Sequence, residues 1–253
     1  MNYHYDRKTI SAIDETLPMY SKREFQSPSR STVPLLSWLK HDEQMFHALL
    51  RELGMPADSS IHLEYTVKPP EGRGNFSHTD IMVISGDNAL ALEAKWTEPR
   101  HDTVRDWLAM GKKPDNRRSV MSGWLSLLQK HAKCALYVDD FSEAVYQMVH
   151  RASSACAAGN KPRLAYLMFT PLPDGKSTDI RTIYADLTHL WKLLGQPDDF
   201  PFYLIELQLS QAAEFQAIAS LKKGSAATAE KVRASLRKTK LFAFEKYDIK
   251  TIS

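Results

Sequence analysis

Between Asp80 and Lys95 two apolar runs of strand length, Ile81 to Ile84 and Ala89 to Leu92, flank a Ser85-Gly86-Asp87-Asn88 turn. Short apolar runs bounded by turn residues read as strands, and this turn folds the pair into a hairpin. Val83 and Ile84 are apolar neighbours, as are Ala89 to Leu92, so both faces of the strands need covering. The predicted class is therefore α/β, a central mixed sheet flanked by helices. The hairpin also sorts charge. Side chains alternate along a strand, so Glu93 and Lys95 project from one face while Ala94 points away. Asp80 comes beside them from the first strand, and two carboxylates and a lysine converge at a sheet edge. Such a group is suited to a divalent metal and to work on a phosphodiester.

The rest of the chain arranges itself around this hairpin. Residues 1 to 34 are polar, with Ser, Pro and Arg punctuation from Gln26 to Pro34, and read as an arm wrapped on the surface. From Leu35 the apolar residues Trp38, Leu39, Phe46, Leu49, Leu50 and Leu53 recur near the helical period, with Gly54 as a stop. Residues 61 to 67 alternate as a strand, and the Pro/Gly segment 69 to 75 ends it. An inserted helix pair is predicted near 102 to 137, at 103 to 111 and 120 to 135, around the basic residues Lys112, Lys113, Arg117 and Arg118. A third helix spans 141 to 158, followed by strands at 163 to 170 and 202 to 209. Two helices, 211 to 221 and 227 to 237, fill a basic tail. With no repeat and no long linker, residues 35 to 209 form one α/β domain, and 210 to 253 are an extension packed on it.

Composition narrows the class rather than choosing within it. The chain is 43% hydrophobic and 25% charged, an ordinary globular balance, and its formal charge of +3 permits nucleic-acid binding without demanding it. Cys134 and Cys156 lie far apart without a metal-ligand pattern and read as reduced packing residues. No apolar run has membrane-spanning length and the N-terminal residues lack a signal-like segment, so a soluble, cytoplasmic protein without a membrane partner is expected. Asp174 to Thr178 imitates the end of a phosphate-binding loop, but Thr170 stands where its first glycine is required. The histidines lack the i, i+4 pairing of a zinc helix. Trp38, Trp96, Trp107, Trp124 and Trp191 sit mostly in helical or strand patterns and read as core rather than as base-stacking platforms.

From Leu35 to Thr170 the order helix, three strands, long helix, strand resembles the core of the PD-(D/E)XK nuclease superfamily, the restriction-endonuclease-like fold. Thr79-Asp80 and, further on, Glu93-Ala94-Lys95 carry the resemblance; Thr79 stands where the family usually has proline. Glu64 is similar to an extra acid many members place on the preceding strand. Gln147, with Arg151 one helical turn later, looks like polar positions some members carry on the helix after the motif. An acid-x-Lys triplet alone arises by chance in a chain this long, so the weight comes from the strand ends and the element order around it. The resemblance does not extend to the arm or the tail.

The resemblance implies Mg²⁺, with Mn²⁺ as a substitute, held by Asp80, Glu93 and the backbone carbonyl of Ala94. Lys95 would lie near the attacking water and the scissile phosphate. Glu64 would bind a second metal or hold Lys95, or is a solvent-facing strand acid. His78 shares the parity of Asp80 and is either a member of the site or a hydrogen-bonded neighbour. Gln147 and Arg151 would contact a phosphate or support Lys95, or form an ordinary polar stripe. The implied function is a metal-dependent nuclease of restriction or repair type, acting on DNA ahead of RNA. Many similar nucleases are homodimers, each subunit cutting one strand, although no interface is legible here. The alternative is a catalytically inactive module of the same fold that binds nucleic acid or joins a complex. If Asp80 and Lys95 lie on opposite faces of the sheet, the motif is accidental.

Overall fold

A computed structural model describes residues 1–110, 114–172 and 178–252. Its centre is the expected hairpin, β4 (Ser77–Ser85) and β5 (Asn88–Lys95), antiparallel with Ser85 opposite Asn88 and Ile81 opposite Leu92. The chain enters it from β3 (Ser60–Val67), antiparallel to β4. On the other side β6 (Lys161–Thr170) and β7 (Phe202–Gln211) follow in parallel, each requiring a crossover. With β1 (Asn2–Tyr5), β2 (Lys8–Ile10) and β8 (Phe242–Ile252), the described residues form one mixed sheet of eight strands in the order β2-β1-β3-β4-β5-β6-β7-β8.

The period of two decides what each face buries. Along β5, Leu90, Leu92 and Ala94 join one core, while Ala89 and Ala91 join the other. The first core is roofed by α1 (Thr32–His41), α2 (Glu43–Glu52), α7 (Ala213–Ala219) and α8 (Ala226–Lys238). The second lies under α3 (Val104–Ala109), α4 (Pro114–Leu128), α5 (Tyr146–Ala158) and α6 (Ile180–Leu193). An α/β sheet covered on both faces is thus the observed class. Among the described residues no helix is long and apolar enough to cross a membrane.

Two terminal readings are corrected. Residues 1 to 34 are not a surface arm: β1 (Asn2–Tyr5) pairs in parallel with β3, β2 (Lys8–Ile10) forms the sheet edge, and Leu17, Tyr20 and Phe25 are buried. The tail is more than two helices, since β8 (Phe242–Ile252) pairs antiparallel with β7 at the opposite edge. Helical boundaries also differ. The run from Leu35 is two helices broken at Asp42, the second inserted helix is Pro114–Leu128 rather than 120 to 135, and α5 begins at Tyr146 rather than 141. The helix α6 had no counterpart in the sequence reading. Lys112, Lys113 and Asp174 to Ser177 lie outside the described residues.

α5 crosses the sheet at the level of β5. Its inner residues Ala152, Ser153, Ser154 and Ala155 are small, which brings the helix axis close to Ala89 and Ala91. At its end, a Cβ on Gly159 would collide with the Asp87 carbonyl of the β4–β5 turn. That close approach fixes how far along β5 the side chains of Gln147 and Arg151 reach.

Candidate active site

The paired register of β4 and β5 ends at Ile81–Leu92, and Asp80 stands one residue beyond it. There its Oδ2 accepts a hydrogen bond from the backbone N–H of Ala94 at 2.8 Å. Glu93 and Lys95 share a face of β5 and are joined, Nζ donating to Oε1 at 2.8 Å. The cluster therefore lies where the two central strands part, not at a lateral edge of the sheet. Asp80, Glu93 and Lys95 line one cleft of about 290 Å³, so the opposite-face arrangement is absent.

Glu93, Lys95 and Arg151 are only 3%, 6% and 7% exposed. Buried charges persist only when paired, and Glu93 is the hub. Its Oε1 also accepts from Gln147 Nε2 at 2.9 Å, and its Oε2 accepts from Arg151 Nε at 2.5 Å. Gln147 and Arg151 thus support Glu93, not Lys95 as the sequence suggested. Burial by itself would raise the Glu93 carboxyl, but Arg151 and Lys95 outweigh it and hold the group at about 2. Among the described residues no side chain donates a hydrogen bond to Asp80, whose partner is the Ala94 amide. Burial first, then the Glu93 and Glu64 carboxylates, push its carboxyl well above the usual range.

Glu64 does reach the cleft, but it does not hold Lys95; its carboxylate faces His78 Nδ1 at 3.6 Å. Its backbone is at φ 53°, the left-handed region that a non-glycine strand residue avoids. The consequence is a change of face: Ile61 and Leu63 pack under α1 and α2, whereas Tyr65 and Val67 pack on the α4–α5 side. His78 stands at the rim with its side chain 55% exposed.

The sequence reading missed several members. His101 Nε2 lies 3.4 Å from Lys95 Nζ, and its ring is kept neutral by burial and by that ammonium. Glu98 accepts from Ser31 N–H and Oγ through one oxygen and from Trp96 and Thr97 N–H through the other, closing the loop after β5. Ser77 Oγ accepts from Arg151 Nη1 at 2.8 Å, and both contact Nδ1 of His150. No spacing within one element hints at these contacts: Ser77 is three residues from Asp80, so simple alternation along β4 would put it on the opposite face.

A divalent cation can be tested against the donor set. Among the described residues no three His, Cys, Asp or Glu side chains form a metal-binding group. A hard cation that retains water needs fewer, one or two carboxylates. A carboxylate has about four acceptor positions; Glu93 uses three and Asp80 one, and among the described residues Asp80 Oδ1 accepts nothing. The cleft is lined by five acidic side chains, Glu24, Glu64, Asp80, Glu93 and Glu98, against three basic ones, Arg30, Lys95 and Arg151. The free acceptor positions of Asp80 and Glu93 fit such an ion.

Residues 8–199 match the family described as Domain of unknown function (DUF6946). No curated protein and no solved structure matches the chain significantly.

Proposed function

The chain belongs to the DUF6946 family, and for this member we propose a metal-dependent nuclease on a restriction-endonuclease-like core, hydrolysing DNA phosphodiesters in restriction or repair. The observation that carries the proposal is the meeting of Asp80, Glu93 and Lys95 in one cleft where the central strands part. Asp80, Glu93 and the Ala94 carbonyl would hold Mg²⁺ or Mn²⁺. The ion supplies Lewis-acid charge to a phosphate and makes water a stronger acid. The protein's part is positional. Glu93, held at about 2, stays ionised at any physiological pH. Lys95 is fixed on Glu93 with its ammonium at the cleft, where it can orient the attacking water or neutralise charge on the phosphorane. Asp80 anchors the Ala94 amide and so aims the adjoining peptide.

One observation favours the second reading, an inactive binding module: Glu93 is already engaged by Lys95, Gln147 and Arg151. Plasmid cleavage with Mg²⁺ and Mn²⁺ separates the two. The wild type should cut, and Asp80→Asn and Lys95→Met should each lose at least about a hundredfold while keeping the wild-type circular dichroism. A wild type that cuts no form of DNA, and shows no Mn²⁺ affinity by calorimetry, would overturn the nuclease.

A further inference from the structure

The cleft continues away from the sheet. It shares His78, His101, Gln147 and Arg151 with a hollow of about 220 Å³. That hollow shares Phe76, Trp107, Tyr146 and His150 with a larger one of about 520 Å³, within the range of small-molecule sites. Charge reverses along this path. Five acidic side chains line the catalytic cleft, whereas among the described residues the far pocket is lined by Arg73 and Arg117 and by no acid.

The far pocket is built from flat side chains. Trp107 of α3 stacks on Tyr146 of α5 with ring centroids 3.8 Å apart and 10° between planes. The Arg117 guanidinium lies 4.8 Å over the Trp107 ring and donates to the Trp107 carbonyl. Phe76 stands at the junction of the two hollows, 53% exposed, an unusual position for a large apolar ring. The loop that carries it is held in place. Arg73 N–H donates to Asn116 Oδ1 at 2.8 Å, and Asn116 Nδ2 returns a bond to the Arg73 carbonyl. Gly123 lets α4 approach so closely that a Cβ there would be 2.7 Å from Glu71 N.

His150 lines both hollows. Its Nδ1 faces the Arg151 guanidinium, which can only donate, so the proton of the neutral ring is on Nε2. Through Arg151 the pocket wall is tied to Glu93.

Phosphates need cations, and unpaired bases need flat apolar or guanidinium faces with hydrogen-bond donors at their edges. We infer that this pocket receives an unpaired base of the DNA strand being cut, held against Phe76 and the Arg117–Trp107–Tyr146 stack. The inference rests on the nuclease reading and narrows its substrate to DNA that is single-stranded or opened beside the scissile phosphate. Trp107, which the sequence pattern assigned to the core, backs the pocket wall, its ring covered by Tyr146 and by the Arg117 guanidinium.

Binding tests this without catalysis. A single-stranded oligonucleotide carrying one 2-aminopurine, titrated without metal, should bind at least about tenfold more tightly than the blunt duplex of the same sequence, with fluorescence quenched by stacking. Phe76→Ala and Arg117→Met should each weaken single-strand binding about tenfold or more and restore the fluorescence. Phe76 is exposed, so its loss should not unfold the protein. Equal affinity for single strand and duplex, or unchanged quenching in Phe76→Ala, overturns the inference even if plasmid is cut. Tight, Phe76-dependent binding without cleavage overturns the nuclease and leaves the pocket.

Discussion

Replacing Arg151 by Met removes a guanidinium of nearly equal reach from a site that is 7% exposed. Glu93 then keeps Lys95 and Gln147 but loses the 2.5 Å bond to Oε2, while Ser77 and His150 each lose a donor. Glu93's folded value of about 2, against 4.5 when unperturbed, corresponds to about 3 kcal/mol favouring its ionised form in the native state. Breaking a buried pair by removing one partner costs about 3–5 kcal/mol by experience elsewhere. Arg151 is one of the two cations behind that shift, so by the same experience Arg151→Met should lose about 3 kcal/mol at pH 7, a fall in Tm of roughly 6–12 °C for a chain of this size.

The sign with pH follows. A carboxylate with a depressed folded value contributes stability above its unfolded value of 4.5 and loses it as pH falls toward 2. The gap between wild type and variant should therefore be full at pH 7 and narrow below about pH 4.5. Asp80, with its raised value, titrates in the opposite sense in both proteins. Urea unfolding of wild type, Arg151→Met, Glu93→Gln and the double variant gives the coupling directly. The double should be less unstable than the sum of the singles by at least about 1 kcal/mol. Additive single effects, or a loss under about 1 kcal/mol for Arg151→Met, would show that Glu93 is not held as described.

Three further outcomes are expected. Phe25→Ala should cost about 3–5 kcal/mol, because the ring is fully buried, edge-on to Tyr20 and under the Arg233 guanidinium; a surface arm would lose under about 0.5 kcal/mol in the same thermal melt. Glu64→Asn should raise stability by about 1 kcal/mol, since Asn tolerates the left-handed backbone and a carboxylate leaves the cleft; a lower Tm would refute the strain. Gly123→Ala should lose about 1–3 kcal/mol by pushing α4 off Glu71 and should loosen the Phe76 loop, read as faster hydrogen exchange over residues 69 to 76.

What the sequence determined was local. The alternation of β5 put Glu93 and Lys95 on one face, the turn at Gly86 returned Asp80 to them, and the helical period put Gln147 and Arg151 on one side of α5. Each follows from one element's own geometry, and each survives in the structure. The edge strands were hidden because they are edges: β2 carries Lys8, and β8 carries Glu245, Lys246, Asp248 and Lys250, charges that guard an unpaired margin and blur the apolar pattern. Tertiary structure alone decided that Arg151 serves Glu93, that Glu64 turns to His78, and that His101, Ser77 and His150 belong to the site. The Arg151–Glu93 and Ser77–His150 pairings join residues 58 and 73 positions apart, at a depth set by how closely small side chains and Gly159 let α5 approach β5. Sequence spacing specifies which face a charge takes; only packing distance specifies which opposite charge it meets there.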